Sequence, residues 1–261
     1  MKSEQPSSTR IHQTVVAEQF GPRAAAYVTS AVHAQGEDLL QMAGLVTGIG
    51  HARVLDLGCG GGHVSFQVVP HVREVVAYDL SQDMLSAVAR TAAECGLDNI
   101  RTERGTVEKL PFEDASFGFV MSRFSAHHWH DLDAALREAR RVVRPCGRAV
   151  FADVYTPGHP LLDTFFQTIE MLRDPSHVRN YTIGEWQQAL ERAGFTPGEV
   201  TRRRLRLEFT SWVTRMQTSE IHVQAIRSLQ QRMADDVTRH FEIEADGSFT
   251  IDTMTVIADP A

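Results

Sequence analysis

Two stretches of this chain combine residue types that do chemistry. In VLDLGCGGGH, residues 54–63, glycines at 58, 60 and 62 follow a short apolar run that contains Asp56. Glycines after a strand let the backbone turn sharply and approach a ligand closely, because no Cβ stands in the way. Such a turn also fits a dinucleotide site. Asp56 argues against one, since it would repel a pyrophosphate and attract an amino group or a sulfonium. Asp79 follows 23 residues later, at the end of VVAYD, where a carboxylate can accept both hydroxyls of a ribose. The ligand these residues predict is a nucleoside with a cationic tail.

The second stretch, RFSAHHWHD at 123–131, gathers His127, His128 and His130 beside Asp131. Metal ligation is disfavoured, because no Cys/His pair at metal-ligand spacing supports it and adjacent imidazoles rarely converge on one ion. Three structural histidines are one reading. In the other, His127 or His128 faces a substrate as base or hydrogen-bond partner, work that suits an imidazole near neutrality. His130, next to Asp131 at a predicted helix start, reads as local capping and surface structure.

The elements that must hold these residues follow from the pattern. Short apolar runs at 53–56, 74–78, 100–102, 117–122 and 148–153 read as buried strands, with helical stretches near 81–95 and 131–143 between them. Strands alternating with helices imply crossovers, so the fold class is α/β: a doubly wound, Rossmann-like, mainly parallel sheet with N-terminal and C-terminal helical cap elements. Ligands of such a sheet bind beyond the carboxyl ends of its strands, which puts residues 122–130 over the substrate. Residues 1–45 are expected to form an N-terminal helical cap segment, interrupted at Gly21-Pro22, and 46–261 the ligand-binding domain. Within it, a helix over 161–173, a capped helix over 182–194, strands over 199–209 and 248–258 and helical periodicity over 211–240 are predicted. The cap elements fall at about 155–181 and 211–240. Phe20, Tyr27, His159, His177, Arg179, Tyr181 and Trp212 are the candidates for covering the substrate.

Composition narrows the partners. With 261 residues, 43% of them hydrophobic, the chain can bury a substantial core. A net charge of −7 opposes a nucleic-acid partner, which needs a positive footprint. Arg137, Arg140, Arg141 and Arg144 share one side of a helix and read as a solvated face. Arg202, Arg203, Arg204 and Arg206 read as the exposed side or edge of a strand. Three widely spaced cysteines without a CxxC pair read as reduced thiols. No signal-peptide core and no membrane-length apolar stretch is present, so a soluble cytoplasmic protein with no membrane partner is expected.

Taken with SQDML, LPFEDASF and RPCGR, the stretches DLGCGGG and AYDLS resemble the class I S-adenosylmethionine-dependent methyltransferases. The likeness is to the type 11 branch that contains the ubiquinone and menaquinone C-methyltransferases, and it covers about 50–155. QFGPRAAAYVTSAVH, SAHHWHD, PGHP, SHVRNY and EFTSWV are similar to an enterobacterial member, which extends it over nearly the whole chain. The resemblance implies S-adenosyl-L-methionine as cofactor. By it, Asp56, Gly58, Gly60 and Gly62 hold the methionine part, Asp79 holds the ribose, Leu80 and Met84 pack the adenine, and Val107 faces the adenine edge. Thr106 stands where the family often has an Asp that reaches the adenine amino group; a hydroxyl can accept that bond with less charge assistance. Placement after the fourth strand turns Ser122 and Arg123 toward the cofactor and His127 and His128 toward an acceptor. The implied activity is methyl transfer to a small aromatic or heteroaromatic molecule, at carbon, nitrogen or oxygen. Methylation of a quinone precursor ranks lower because of the distinct C-terminal cap. From another class, a non-catalytic cofactor-binding regulatory module has only Thr106 in its favour.

Overall fold

The computed structural model describes residues 11–21 and 36–261. Tyr27 and the rest of 22–35 lie outside the described residues. Helices α1 (His12–Phe20) and α2 (Glu37–Val46) precede β1 (Arg53–Leu57), α3 (His63–Val68), β2 (Glu74–Asp79), α4 (Gln82–Glu94) and β3 (Ile100–Arg104). Then come β4 (Phe117–Arg123), α5 (Leu132–Val142), β5 (Val143–Val154), α6 (Pro160–Arg173), α7 (Ile183–Arg192) and β6 (Phe195–Leu207). Three short helices, α8 (Phe209–Arg215), α9 (Glu220–Arg232) and α10 (Asp235–His240), lead to β7 (Phe249–Pro260).

The seven strands form one sheet in the order β3-β2-β1-β4-β5-β7-β6, parallel from β3 to β5. Strand β7 runs antiparallel between β5 and β6. Strands covered on both faces need apolar residues on both, and successive side chains alternate sides. Accordingly Leu55 and Leu57 of β1 pack with Leu136 of α5 and Trp186 of α7. Val54 packs on the opposite face with Met42 of α2 and Val68 of α3. The C-terminal elements have a core of their own, in which Phe165 and Phe166 of α6 meet Trp212 of α8, Phe241 and Phe249.

Helix starts follow local chemistry. Asp131 Oδ1 accepts the Ala134 N–H at 2.9 Å, as its place in the sequence predicts, and Thr182 with Glu185 forms a reciprocal capping box. Two arginine groups differ from expectation. Arg141 donates to Glu138, Asp114 and the carbonyls of Leu110 and Phe112, which ties α5 to the loop before β4 instead of leaving it solvated. Arg203 donates to Gln41 and Thr255, and Arg204 to Asp252, so these β6 residues bind neighbouring elements. Among the described residues no helix is long and apolar enough to cross a membrane.

Candidate active site

The crevice of a doubly wound sheet opens where neighbouring strands leave in opposite directions. Here that point lies at β1, between β2 and β4. The turn after β1 holds Gly58, Gly60 and Gly62 at φ of 71°, 48° and 78°, values that favour glycine. A Cβ on Gly58 would collide with the Ser125 side chain, whereas one on Gly60 would meet nothing within 4 Å. The turn is therefore pressed against the loop after β4 at one glycine and open at the next.

Two carboxylates, Asp56 buried and Asp79 half-buried, brace the turn. Asp79 Oδ2 accepts the Gly60 N–H and Oδ1 the Ser81 N–H, both at 2.8 Å. Burial raises the Asp79 carboxyl above its ordinary value, against the pull of these bonds. Asp56 Oδ2 accepts from the Ser65 backbone at 3.0 Å and from its hydroxyl at 2.6 Å. Burial, which outweighs those bonds, pushes the Asp56 carboxyl up to about 7. A cation arriving beside it would pull it back down.

A cleft of about 1250 Å³, open mouth included, runs from the glycine turn to the C-terminal cap. One end is made by the glycine turn, Asp56, Asp79, Ser81 and Met84. A side recess that shares Gly58 and Asp79 continues past Leu80, Gly105, Thr106 and Val107. The other end is walled by Phe124, Leu205, Leu207, Trp212 and Ile251, and its polar residues include His127, Glu170, Arg173, Asp174, Asn180 and Arg215.

His127 and His128 sit on a 3-10 turn at Ala126–His128, their rings 4.2 Å apart, and both line the cleft. The His127 Nδ1–H donates to Asp153 Oδ1 at 2.6 Å. Asp153 Oδ2 in turn accepts the N–H groups of Ser125 at 3.2 Å and Ala126 at 2.8 Å, so one carboxylate orients both the ring and its loop. This bond assigns the proton of neutral His127 to Nδ1 and leaves Nε2 to accept. Burial opposes the charged ring, but Asp153, with Glu170 and Asp174, prevails and the His127 pKa is raised. His128 differs. Its Nδ1–H donates to the Ser176 carbonyl at 3.1 Å, and burial with the neighbouring His127 charge lowers its pKa to about 4. Of the two imidazoles His127 is the more readily protonated.

The structure brings together Asp56, Gly58, Gly60, Asp79, Met84, Arg123, Phe20, His127 and His128 around the main cleft, with Leu80, Thr106 and Val107 in the recess, whereas Gly62 lies against Val88 and Phe66 and does not line it. Arg123 reaches the wall, yet its guanidinium forms a close ion pair with Asp38 of α2, which makes it a brace for β4. Ser122 is buried behind the cleft. His159 is exposed at the start of α6. Arg179 pairs with Glu185 at 3.2 Å and Asp163 at 3.6 Å, and Tyr181 lines a separate surface hollow beside Arg192. These three stand away from the cleft, His159 at the α6 start and Arg179 and Tyr181 on either side of the inward-facing Asn180. Asp153, Glu170, Asp174 and Asn180 were not read from the sequence. An acid near the carboxyl end of β5, the position type of Asp56 on β1 and Asp79 on β2, is the signal that marks Asp153.

Residues 55–151 match the model of a family described as a methyltransferase domain. The chain is 47% identical over 204 residues to YafE of Escherichia coli (strain K12), spanning 78% of this chain and 99% of that protein. It is 36% identical over 196 residues to the methyltransferase YcgJ of Bacillus subtilis (strain 168), spanning 75% of this chain and 78% of YcgJ. The crystal structure of a YcgJ protein from Bacillus superposes with a TM-score of 0.83 at 30% identity, over 86% of this chain and 99% of that one.

Proposed function

The chain belongs to the class I S-adenosylmethionine-dependent methyltransferases, and from that premise we propose that its acceptor is a small aromatic or heteroaromatic molecule, seated at the cap end of the cleft with His127 as base. The observation that carries this reading is the His127–Asp153 pair, fixed at 2.6 Å where the cleft passes from the glycine turn to the apolar cap. Around it stand flat and apolar surfaces. The Phe20 ring meets His128 edge-on at 4.9 Å, and Trp212 packs edge-on against Phe249 at 4.9 Å.

The residues of the first end fit the cofactor. The open side of Gly60 admits a close approach, Asp79 presents carboxylate lone pairs beside it, and Asp56 offers an acid that becomes a full anion when a cation is near. Bound S-adenosylmethionine supplies a methyl group already activated on sulfur. The protein aligns the acceptor with it and keeps water out. Where the acceptor carries an acidic O–H or N–H, His127 Nε2 takes that proton as the bond to carbon forms, and Asp153 stabilises the resulting imidazolium.

Asp56 gives the cofactor end a measurable signature. With its carboxyl at about 7 in the free protein and lower beside a cation, binding should release protons near pH 6.5. Calorimetric titration in buffers of different ionisation enthalpy reads that release, and Asp56→Asn should remove it.

The decisive test of the acceptor uses methyl-labelled cofactor, the purified protein and a small-molecule extract from a strain lacking the gene. Label should appear in an aromatic small molecule and be lost with His127→Gln. Label confined to protein or nucleic acid would sink the acceptor reading, and no label anywhere, despite tight cofactor binding, would favour the non-catalytic module.

A further inference from the structure

Behind the imidazoles lies a polar network that serves a residue without a catalytic task. Asn180 is 2% exposed and lines the acceptor end, yet its amide nitrogen has no hydrogen-bond partner among the described residues. A buried amide N–H left unbonded is costly, and native proteins retain few. The backbone of the same residue is clamped. Gln167 Oε1 accepts the Asn180 N–H at 3.0 Å while Gln167 Nε2 donates to the Asn180 carbonyl at 2.7 Å.

Gln167 is itself held. Its Nε2 also donates to Asp163 at 2.9 Å, and its Oε1 also accepts from His177 Nε2 at 2.9 Å. Because one end meets a backbone N–H and the other a backbone carbonyl, the orientation of this amide is set by the chain. Two residues before Asn180, the Val178 N–H donates to the His127 carbonyl at 2.8 Å. Asn180 is therefore within two residue lengths, about 7 Å of chain, of a residue hydrogen-bonded to the backbone that carries the base. The fold clamps the backbone of Asn180 near His127 and leaves its buried side-chain nitrogen unbonded among the described residues.

Resting on the acceptor end assigned above, we propose that Asn180 is its specificity-determining residue. The amide N–H donates to an oxygen of the acceptor, so the cleft selects molecules that place a carbonyl, enol or phenol oxygen against it. Gln167 is the positioning residue that aims it. A methyl in that place leaves the buried N–H unbonded, and an amino group opposes donor to donor. Sites built around a hydrogen bond reject such isosteres far more strongly than an apolar pocket rejects an extra methylene.

The test uses the full chain saturated with S-adenosylhomocysteine and three probes of one ring size: 4-fluorophenol, 4-fluoroaniline and 4-fluorotoluene, titrated by fluorine NMR. The phenol should bind at least about tenfold more tightly than the other two. Asn180→Leu should erase that preference while affinities for 4-fluorotoluene and for S-adenosylhomocysteine stay within about twofold, and Asn180→Ala repeats the test if the leucine variant does not fold. Gln167→Met should weaken the preference in the same direction at unchanged cofactor affinity. Equal binding of the three probes, binding of none, or a preference that survives in the Asn180 variants overturns the proposal. Failure to bind S-adenosylhomocysteine at all would instead overturn the methyltransferase reading on which it rests.

Discussion

Asp79→Ala should lower cofactor affinity by about 10²-fold or more in calorimetric titration, with the circular dichroism spectrum unchanged. The carboxylate has two tasks. It holds the Gly60 and Ser81 N–H groups, and its remaining lone pairs are the acceptors proposed for the ribose. Hydrogen bonds to a charged group are worth about 1.5–3 kcal/mol each, so losing two to the ribose accounts for that fall. The fold should tolerate the change, because burial already disfavours the Asp79 anion. Asp79→Asn keeps one acceptor oxygen and should fall between the two. Unchanged affinity in the alanine variant would remove Asp79 from the ribose site.

Asp153→Asn should cost about 10²–10⁴ in kcat once an acceptor is in hand, while cofactor affinity stays the same. Two N–H groups, of Ser125 and Ala126, face Asp153 Oδ2 and one, of Val154, faces Oδ1, so the amide oxygen of the asparagine takes the Oδ2 side. Its NH₂ then faces His127 Nδ1 and drives the ring proton to Nε2, the atom that must accept. The pH dependence separates this from a general loss of structure. In the wild type His127 must be neutral to act, so kcat rises with pH through a His127 pKa held above the ordinary imidazole value. Removing the Asp153 charge takes away an upward influence, so the residual activity of the variant should rise at lower pH than that of the wild type. His127→Gln should lose the limb altogether. An unshifted limb in Asp153→Asn would separate the aspartate from the base.

The glycine-turn end of the cleft was legible because its signals are local. The glycine turn, Asp56 and Asp79 sit at strand ends within the motifs that announce them, and backbone sterics favour glycine at positive φ. The strands and helices near 53–154 were legible for the same reason, since their apolar periods are set by burial on two faces. The acceptor end was not. Gln167 and Asn180 are 13 residues apart and meet through backbone groups that leave no pattern of residue types. Arg179 and Tyr181 drew attention because charged and aromatic residues suggest binding, but the alternation of an extended segment turned them outward and its quiet neighbour inward. Asp153 had a readable position at the end of β5; only its partner, 26 residues earlier on another strand's loop, reveals its purpose.

Strand β7 has a bearing on when the enzyme becomes competent. It is the last element of the chain, yet it lies in the sheet between β5 and β6, and Ile251 from it closes one wall of the acceptor end. In a chain emerging from the ribosome the glycine turn is made well before this strand. Long-range pairing of that kind is slow, because the loop must close before any contact rewards it. The nascent protein would thus own a place for the methyl donor before it owns a place for the recipient. Until β7 slots in, the activated methyl group has no partner to meet.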